Sequence, residues 1–81
     1  MRKDTREMIE HELKRARMKF PGRNMNFAAL VEEVGEVARS LMNNGTDEKG
    51  HANVRKEAVQ TAVMAIRVIE EGDETYGYTP D

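Results

Sequence analysis

The chain contains no cysteine. A small fold of this composition has no disulfide to staple it and no thiolate to hold zinc, and the sequence carries no sign of a redox compartment. It also lacks long apolar runs. None approaches the ~20 residues of a membrane span, and Met1-Arg2-Lys3 leads into a polar segment rather than the apolar core of a signal peptide. No sign of charge dominates either: 13 basic and 15 acidic residues leave a net charge of -2, which argues against binding nucleic acid or a membrane by bulk charge. His11 and His51 each stand without a second nitrogen ligand at i,i+4, so a zinc site is not expected, and Ser40 and Thr61 form no nucleophile and base arrangement. The expectation is a soluble, cytoplasmic protein.

At 81 residues the chain is long enough for one domain, 1–81. A domain of this size buries only about 60% of its unfolded surface, and oligomerisation is the common remedy where disulfides are absent.

What is present is helical periodicity. Asp4 followed by Glu7 reads as a variant capping box that opens a first helix over about 5–19, with Ile9, Leu13, Ala16 and Phe20 on one apolar stripe. Phe20-Pro21-Gly22 stops it. Asn26 is the expected N-cap of a second helix over about 27–43, with Phe27, Leu30, Val31, Val34, Val37, Ala38 and Leu41 facing inward. Residues 43–50 have loop composition. A third helix over about 52–71 ends at Gly72, and its apolar positions Ala58, Val59, Ala62, Val63, Ala65, Ile66 and Ile69 cover more than one stripe. That width predicts burial against two neighbours, one of them a second subunit. Glu70 and Glu71 oppose the macrodipole at the end of this helix and call for a basic partner. The tail, 73–81, reads as irregular. The expected fold is all-α: an antiparallel helical hairpin plus an N-terminal helix, completing a four-helix-bundle-type core on oligomerisation.

Against this background the acids stand out. At 100° per residue, Glu32, Glu33 and Glu36 share one face of the second helix. In an antiparallel hairpin Glu36 lies about 7 residues before the turn and Glu57 about 6 after it, while Glu33 and Gln60 lie about 10 and 9 away, so both pairs are level to within ~2 Å. The hairpin thus gathers Glu33, Glu36, Glu57 and Gln60 as a four-cornered set of oxygens, with Glu32 beside it. Hard cations such as Mg2+ take such ligands, and a cation would turn the mutual repulsion of the carboxylates into a binding term. The alternative is a set of solvated helix faces.

The combination Glu32-Glu33-Val34-Gly35-Glu36, then Glu57-Ala58-Val59-Gln60 leading into an Ala/Val/Ile-rich helix, with the Phe20-Pro21 stop before them, resembles the all-α nucleoside triphosphate pyrophosphatases of the MazG type. The resemblance covers most of the chain. It implies hydrolysis of a nucleoside triphosphate between the α and β phosphates, giving a monophosphate and pyrophosphate, in a homodimer or homotetramer that uses Mg2+, with Mn2+ as an alternative. Carried over by position, it implies that Glu33, Glu36 and Glu57 bind metal, and that Glu32 orients or deprotonates the attacking water. Gln60 departs from the pattern, standing where the family usually has aspartate. An amide oxygen still ligates a cation or holds one of its waters, but one negative charge is gone and metal affinity is expected to fall.

Positive groups are needed to assist on the phosphates. Lys14, Arg15, Arg17, Lys19 and Arg23 cluster toward the end of the first helix, and Arg55 and Lys56 precede Glu57. Arg17, Lys19, Arg23 and Lys56 are the candidate substrate contacts, against the alternative of ordinary solvated charges. Two other functions stay open at this point: a catalytically weakened nucleotide- or metal-binding regulatory module, which Gln60 suggests, and a purely structural helical oligomerisation module, which the wide apolar face of the third helix suggests.

Overall fold

The computed structural model describes residues 1–44 and 48–80, with backbone only at 44, 48 and 49. Three helices, α1 (Lys3–Lys19), α2 (Asn26–Asn44) and α3 (Glu48–Glu71), are followed by a 3-10 turn at Glu74–Tyr76. The protein is all-α. The only bridge among the described residues is an isolated antiparallel one between Asp73 and Tyr78. α2 and α3 form the hairpin, and among the described residues α1 packs on α3 and makes no close backbone approach to α2.

The helices are longer than periodicity alone predicts. α1 begins at Lys3, so Asp4 sits inside its first turn and its carboxylate accepts from the Thr5 N–H at 2.9 Å, rather than standing ahead of the helix as a cap. The expected connection 43–50 is mostly helix. Asn43 and Asn44 extend α2, and α3 starts at Glu48, four residues before the expected 52. Gly50 is buried there, so packing outweighs the poor helix propensity of glycine. The remainder of that expected loop, 45–47, lies outside the described residues.

Asn26 is not the N-cap of α2 but its first residue. It is buried, and its amide Nδ2 donates to the Gly72 carbonyl at 2.9 Å. The capping is done from the far end of the chain. The Asp73 carboxylate accepts from the Met25 N–H at 3.1 Å and the Phe27 N–H at 2.7 Å, and from the Thr75 N–H at 3.0 Å. These bonds take up amide donors that the start of a helix leaves without partners. The Phe27 N–H foremost holds Asp73 below the ordinary carboxylate range, against the opposite pull of burial, with Thr75 and Met25 adding to it. To reach α2 the chain must turn sharply after α3. Gly72 does this with φ +78°, and a Cβ at that position would overlap the Tyr78 carbonyl oxygen. Residues 73–78 of the tail thus form a 3-10 turn closed by a bridge, where an irregular stretch was expected.

The conflict at Glu70 and Glu71 resolves at the same end. Arg17 reaches from α1 to Glu70 at 2.7 Å and Glu71 at 2.8 Å. Arg67, 2% exposed, donates to Glu71 and to the carbonyls of Phe20 (2.7 Å) and Gly22 (3.1 Å). Burial alone would raise the Glu71 carboxyl, but hydrogen bonds from Arg67 and Arg17 hold it below the usual range. Arg67 is thus a buried cation whose neighbours are a carboxylate and two carbonyls, all of them acceptors.

The apolar core is small. Among the described residues only Ala16 and Val63 are fully buried apolar side chains. Of the α1 stripe, Ile9 and Leu13 are half-buried, while Phe20 is exposed where the chain leaves the helix. On α2, Leu30 and Val37 meet α3, but Phe27, Val31, Val34, Ala38 and Leu41, expected inward, are exposed. The reason is the placement of α1. With α1 resting on α3, only one stripe of α2 is covered by a helix; its second, at spacings of four and three, faces out, with the Tyr76 ring edge-on to Phe27 at 5.8 Å. Ala58 and Ile69 of α3 are exposed as well. Helical phase puts both outward stripes on the side of the hairpin opposite α1, and Glu32 and Glu36 on the side α1 occupies.

Candidate functional site

Gln60 of α3 and Glu33 of α2 meet across the hairpin, as helical rise predicts. At the middle of the hairpin the Gln60 side chain spans from α3 to α2. With its amide nitrogen turned inward it donates to Glu57 at 3.1 Å and to Glu33 at 3.1 Å. The opposite orientation sets an amide oxygen against two carboxylates, so in the absence of a cation the N–H2 group is the one that faces them. Glu33, Glu57 and Gln60 are all half-buried. Thr61 steadies this turn of α3 by donating its hydroxyl to the Glu57 carbonyl at 2.8 Å.

Glu36, one turn beyond Glu33 on α2, is half-buried and pairs with Arg39 at 3.1 Å. Glu32 is exposed. Both nevertheless act on Glu33. Burial pushes the Glu33 carboxyl above the ordinary glutamate range, and the charges of Glu57, Glu32, Glu36 and Glu12 push in the same direction. Glu12 is the contributor the sequence reading missed. It belongs to α1, and nothing in its local pattern distinguishes it from the other acids of that helix. Among the described residues no group of three or more histidine, cysteine, aspartate or glutamate side chains is gathered tightly enough to cage a metal unaided. The convergent set is two carboxylates and an amide, with three further carboxylates acting on it from a greater distance.

The basic candidates separate. Arg17 is engaged with Glu70 and Glu71. Lys19 lies over the Phe20 ring, 5.4 Å from its centroid. The Arg23 side chain is exposed, and its carbonyl accepts from the Glu74 N–H at 2.9 Å. Lys56 borders a groove of about 600 Å³ between α1 and α3, of which Gln60 forms part of the wall. A second groove, of about 530 Å³, lies under the 20–26 connection and is bordered by Glu32 and Glu33. The contact between Gln60 and Glu33 thus sits between two openings, one with basic walls and one largely apolar.

The arrangement provides an electron-rich centre in which Glu36 and Glu12 are paired with Arg39 and Arg15 while Glu33 and Glu57 share only the Gln60 amide, with space on either side. Arg67 and Asp73 are more deeply buried but fully partnered, and belong to the architecture. Comparison of the chain with protein-family models, with curated proteins and with solved structures finds no match in any of the three.

Proposed function

We propose that this protein is a Mg2+-dependent nucleoside triphosphate pyrophosphohydrolase that cleaves between the α and β phosphates to give a nucleoside monophosphate and pyrophosphate. The observation that carries the reading is the convergence of Glu33, Glu57 and Gln60 across the hairpin, where neither Glu33 nor Glu57 has an ion-pair partner among the described residues. The resemblance of the Glu32–Glu36 and Glu57–Gln60 segments to the MazG type adds a reaction to that geometry.

The donor set suits a hard cation. The terminal amide atom of Gln60 is 3.1 Å from a carboxylate oxygen on each side, and a half-turn of the amide would present three oxygens at a spacing of the order found between neighbouring ligands of an octahedral ion. Glu33, Glu57 and Gln60 would hold Mg2+, with Glu36 released from Arg39 to join them. Once bound, the ion offsets the charge on the phosphate oxygens and on the leaving group. Glu32, exposed on α2, would accept a proton from the attacking water. The water oxygen bonds to phosphorus, the bridging P–O bond breaks, and pyrophosphate leaves with the electron pair.

The assembly is a homodimer or homotetramer. The outward stripe Phe27, Val31, Val34, Ala38 and Leu41 lies beside the exposed Ala58 and Ile69, a two-helix apolar face that a second copy would complete as a four-helix bundle. The face lies opposite the acids, so assembly leaves the site open. Val34→Glu is expected to give a monomer in sedimentation equilibrium where the parent chain is an oligomer; an unchanged mass would remove this part of the proposal.

A weakened, regulatory form of the same site is the second reading. It is favoured by the Gln60 amide, which satisfies both carboxylates without metal. Pyrophosphate release from a panel of ribo- and deoxynucleoside triphosphates with Mg2+ separates the two: turnover that Glu36→Gln abolishes supports the hydrolase, and nucleotide binding without turnover, converted to turnover by Gln60→Asp, supports the weakened form.

A further inference from the structure

The α1–α3 groove that Gln60 borders has a chemistry opposite to that of the acids beside it. Its walls carry Arg15 from α1 and Arg55 and Lys56 from α3, with His11 adding a ring nitrogen. Against these three fixed cations stands one carboxylate, Glu12, which Arg15 engages at 2.7 Å. That hydrogen bond holds the Glu12 carboxyl low despite burial, and His11 and Lys56 act on it as well, so the cations from both walls converge on one place. Among the described residues neither Arg55 nor Lys56 has an ion-pair partner.

Surface cations are usually solvated singly and spread apart. Here they face each other across about 600 Å³ of open groove, at the edge of a centre suited to the cation of a metal–phosphate complex. Cations on two walls match an anion that carries charge at both ends, which condensed phosphates do and a single phosphate does not. Lys56 and Gln60 are one turn apart on α3, so an anion in the groove reaches the acids without leaving the protein surface.

We infer that the groove between α1 and α3 is a binding site for inorganic pyrophosphate or the terminal phosphates of a nucleotide, held by Arg15, Arg55 and Lys56 with His11 as an additional donor. This assignment rests on the hydrolase reading for its place in the reaction, where it receives the leaving group, but not for its existence. In that reaction it orients the nucleotide so that the bond to be broken lies over the acids, and it makes pyrophosphate a product inhibitor.

The test is titration calorimetry of the full chain with sodium pyrophosphate in EDTA, beside sodium phosphate and sodium sulfate, repeated with the double variant Arg55→Gln/Lys56→Gln. Both residues are exposed, so the variant is expected to keep the helical circular dichroism and melting of the parent. The expected result is pyrophosphate binding that exceeds phosphate and sulfate, weakens with salt, and falls by roughly tenfold or more in the double variant. No binding, equal binding of all three anions, or pyrophosphate binding that the double variant retains would overturn the assignment. Nucleotide turnover measured on the same samples keeps the two claims apart. Turnover without groove binding overturns the site and leaves the hydrolase standing; groove binding without turnover does the reverse.

Discussion

The hairpin carries two polar clusters, about 10 Å apart along α3 by helical rise, and they are built on opposite principles. At the open end, Arg67 and Asp73 are each 2% exposed, and every charge has its counterpart: Arg67 with Glu71 and two carbonyls, Arg17 with both glutamates, Asp73 with three backbone amides. At the middle, Glu33 and Glu57 face each other across one neutral amide with no ion-pair partner among the described residues, while Arg39 is turned to Glu36 and Arg15 to Glu12. Buried charge that is fully partnered ties the tail to α2 and α1 to α3. Half-buried charge of one sign does nothing for the fold and is retained at a cost, which points to a ligand that supplies the missing positive charge.

Breaking the balanced cluster should have the largest effect. Arg67→Met removes the donor from two carbonyls and from Glu71, and is expected to destabilise by about 3–5 kcal/mol in urea unfolding, enough to unfold much of so small a protein. An effect within about 0.5 kcal/mol would mean that the network is ornamental. Gln60→Asp exchanges the bridging amide for a third carboxylate. Metal-free protein should lose roughly 1–2 kcal/mol, and millimolar Mg2+ should restore it more fully than it stabilises the parent. Equal response of both chains to Mg2+ would separate Gln60 from any cation site.

Glu33→Gln should have the smallest effect and the opposite sign. The folded state raises the Glu33 carboxyl above its unfolded value of about 4.3, so the folded protein binds that proton more tightly than the unfolded chain does. Stability therefore declines as pH rises from that value through the raised one and then levels off. The variant, with no proton to lose, should show a flatter profile across this window and a slightly higher melting temperature above it. A parallel profile would show that Glu33 is not the group under strain.

The meeting of Glu33 with Gln60 was legible in the sequence, because it depends on helical rise along two antiparallel helices. The all-α class and the stop at Pro21 were legible for similarly local reasons. The outward face of α2 was not. Periodicity reports which side of a helix is apolar, and α2 has two such stripes; only the docking of α1 on α3 decides which is covered. Nor was the cap. Asp73 reaches residues nearly fifty positions earlier, and its one local sign, an acid directly after the glycine that ends α3, is shared by many loops. Arg67 did leave a trace, a cation one turn after Val63 on the most buried stripe of α3.

If the carboxylates of the hairpin serve a cation and, through it, a nucleotide, purified protein incubated with nucleoside triphosphates and Mg2+ should release monophosphate and pyrophosphate in equal amounts, dependent on the metal and lost in Glu36→Gln. Folded protein that releases neither product and shows no Mg2+-dependent nucleotide binding would rule this role out.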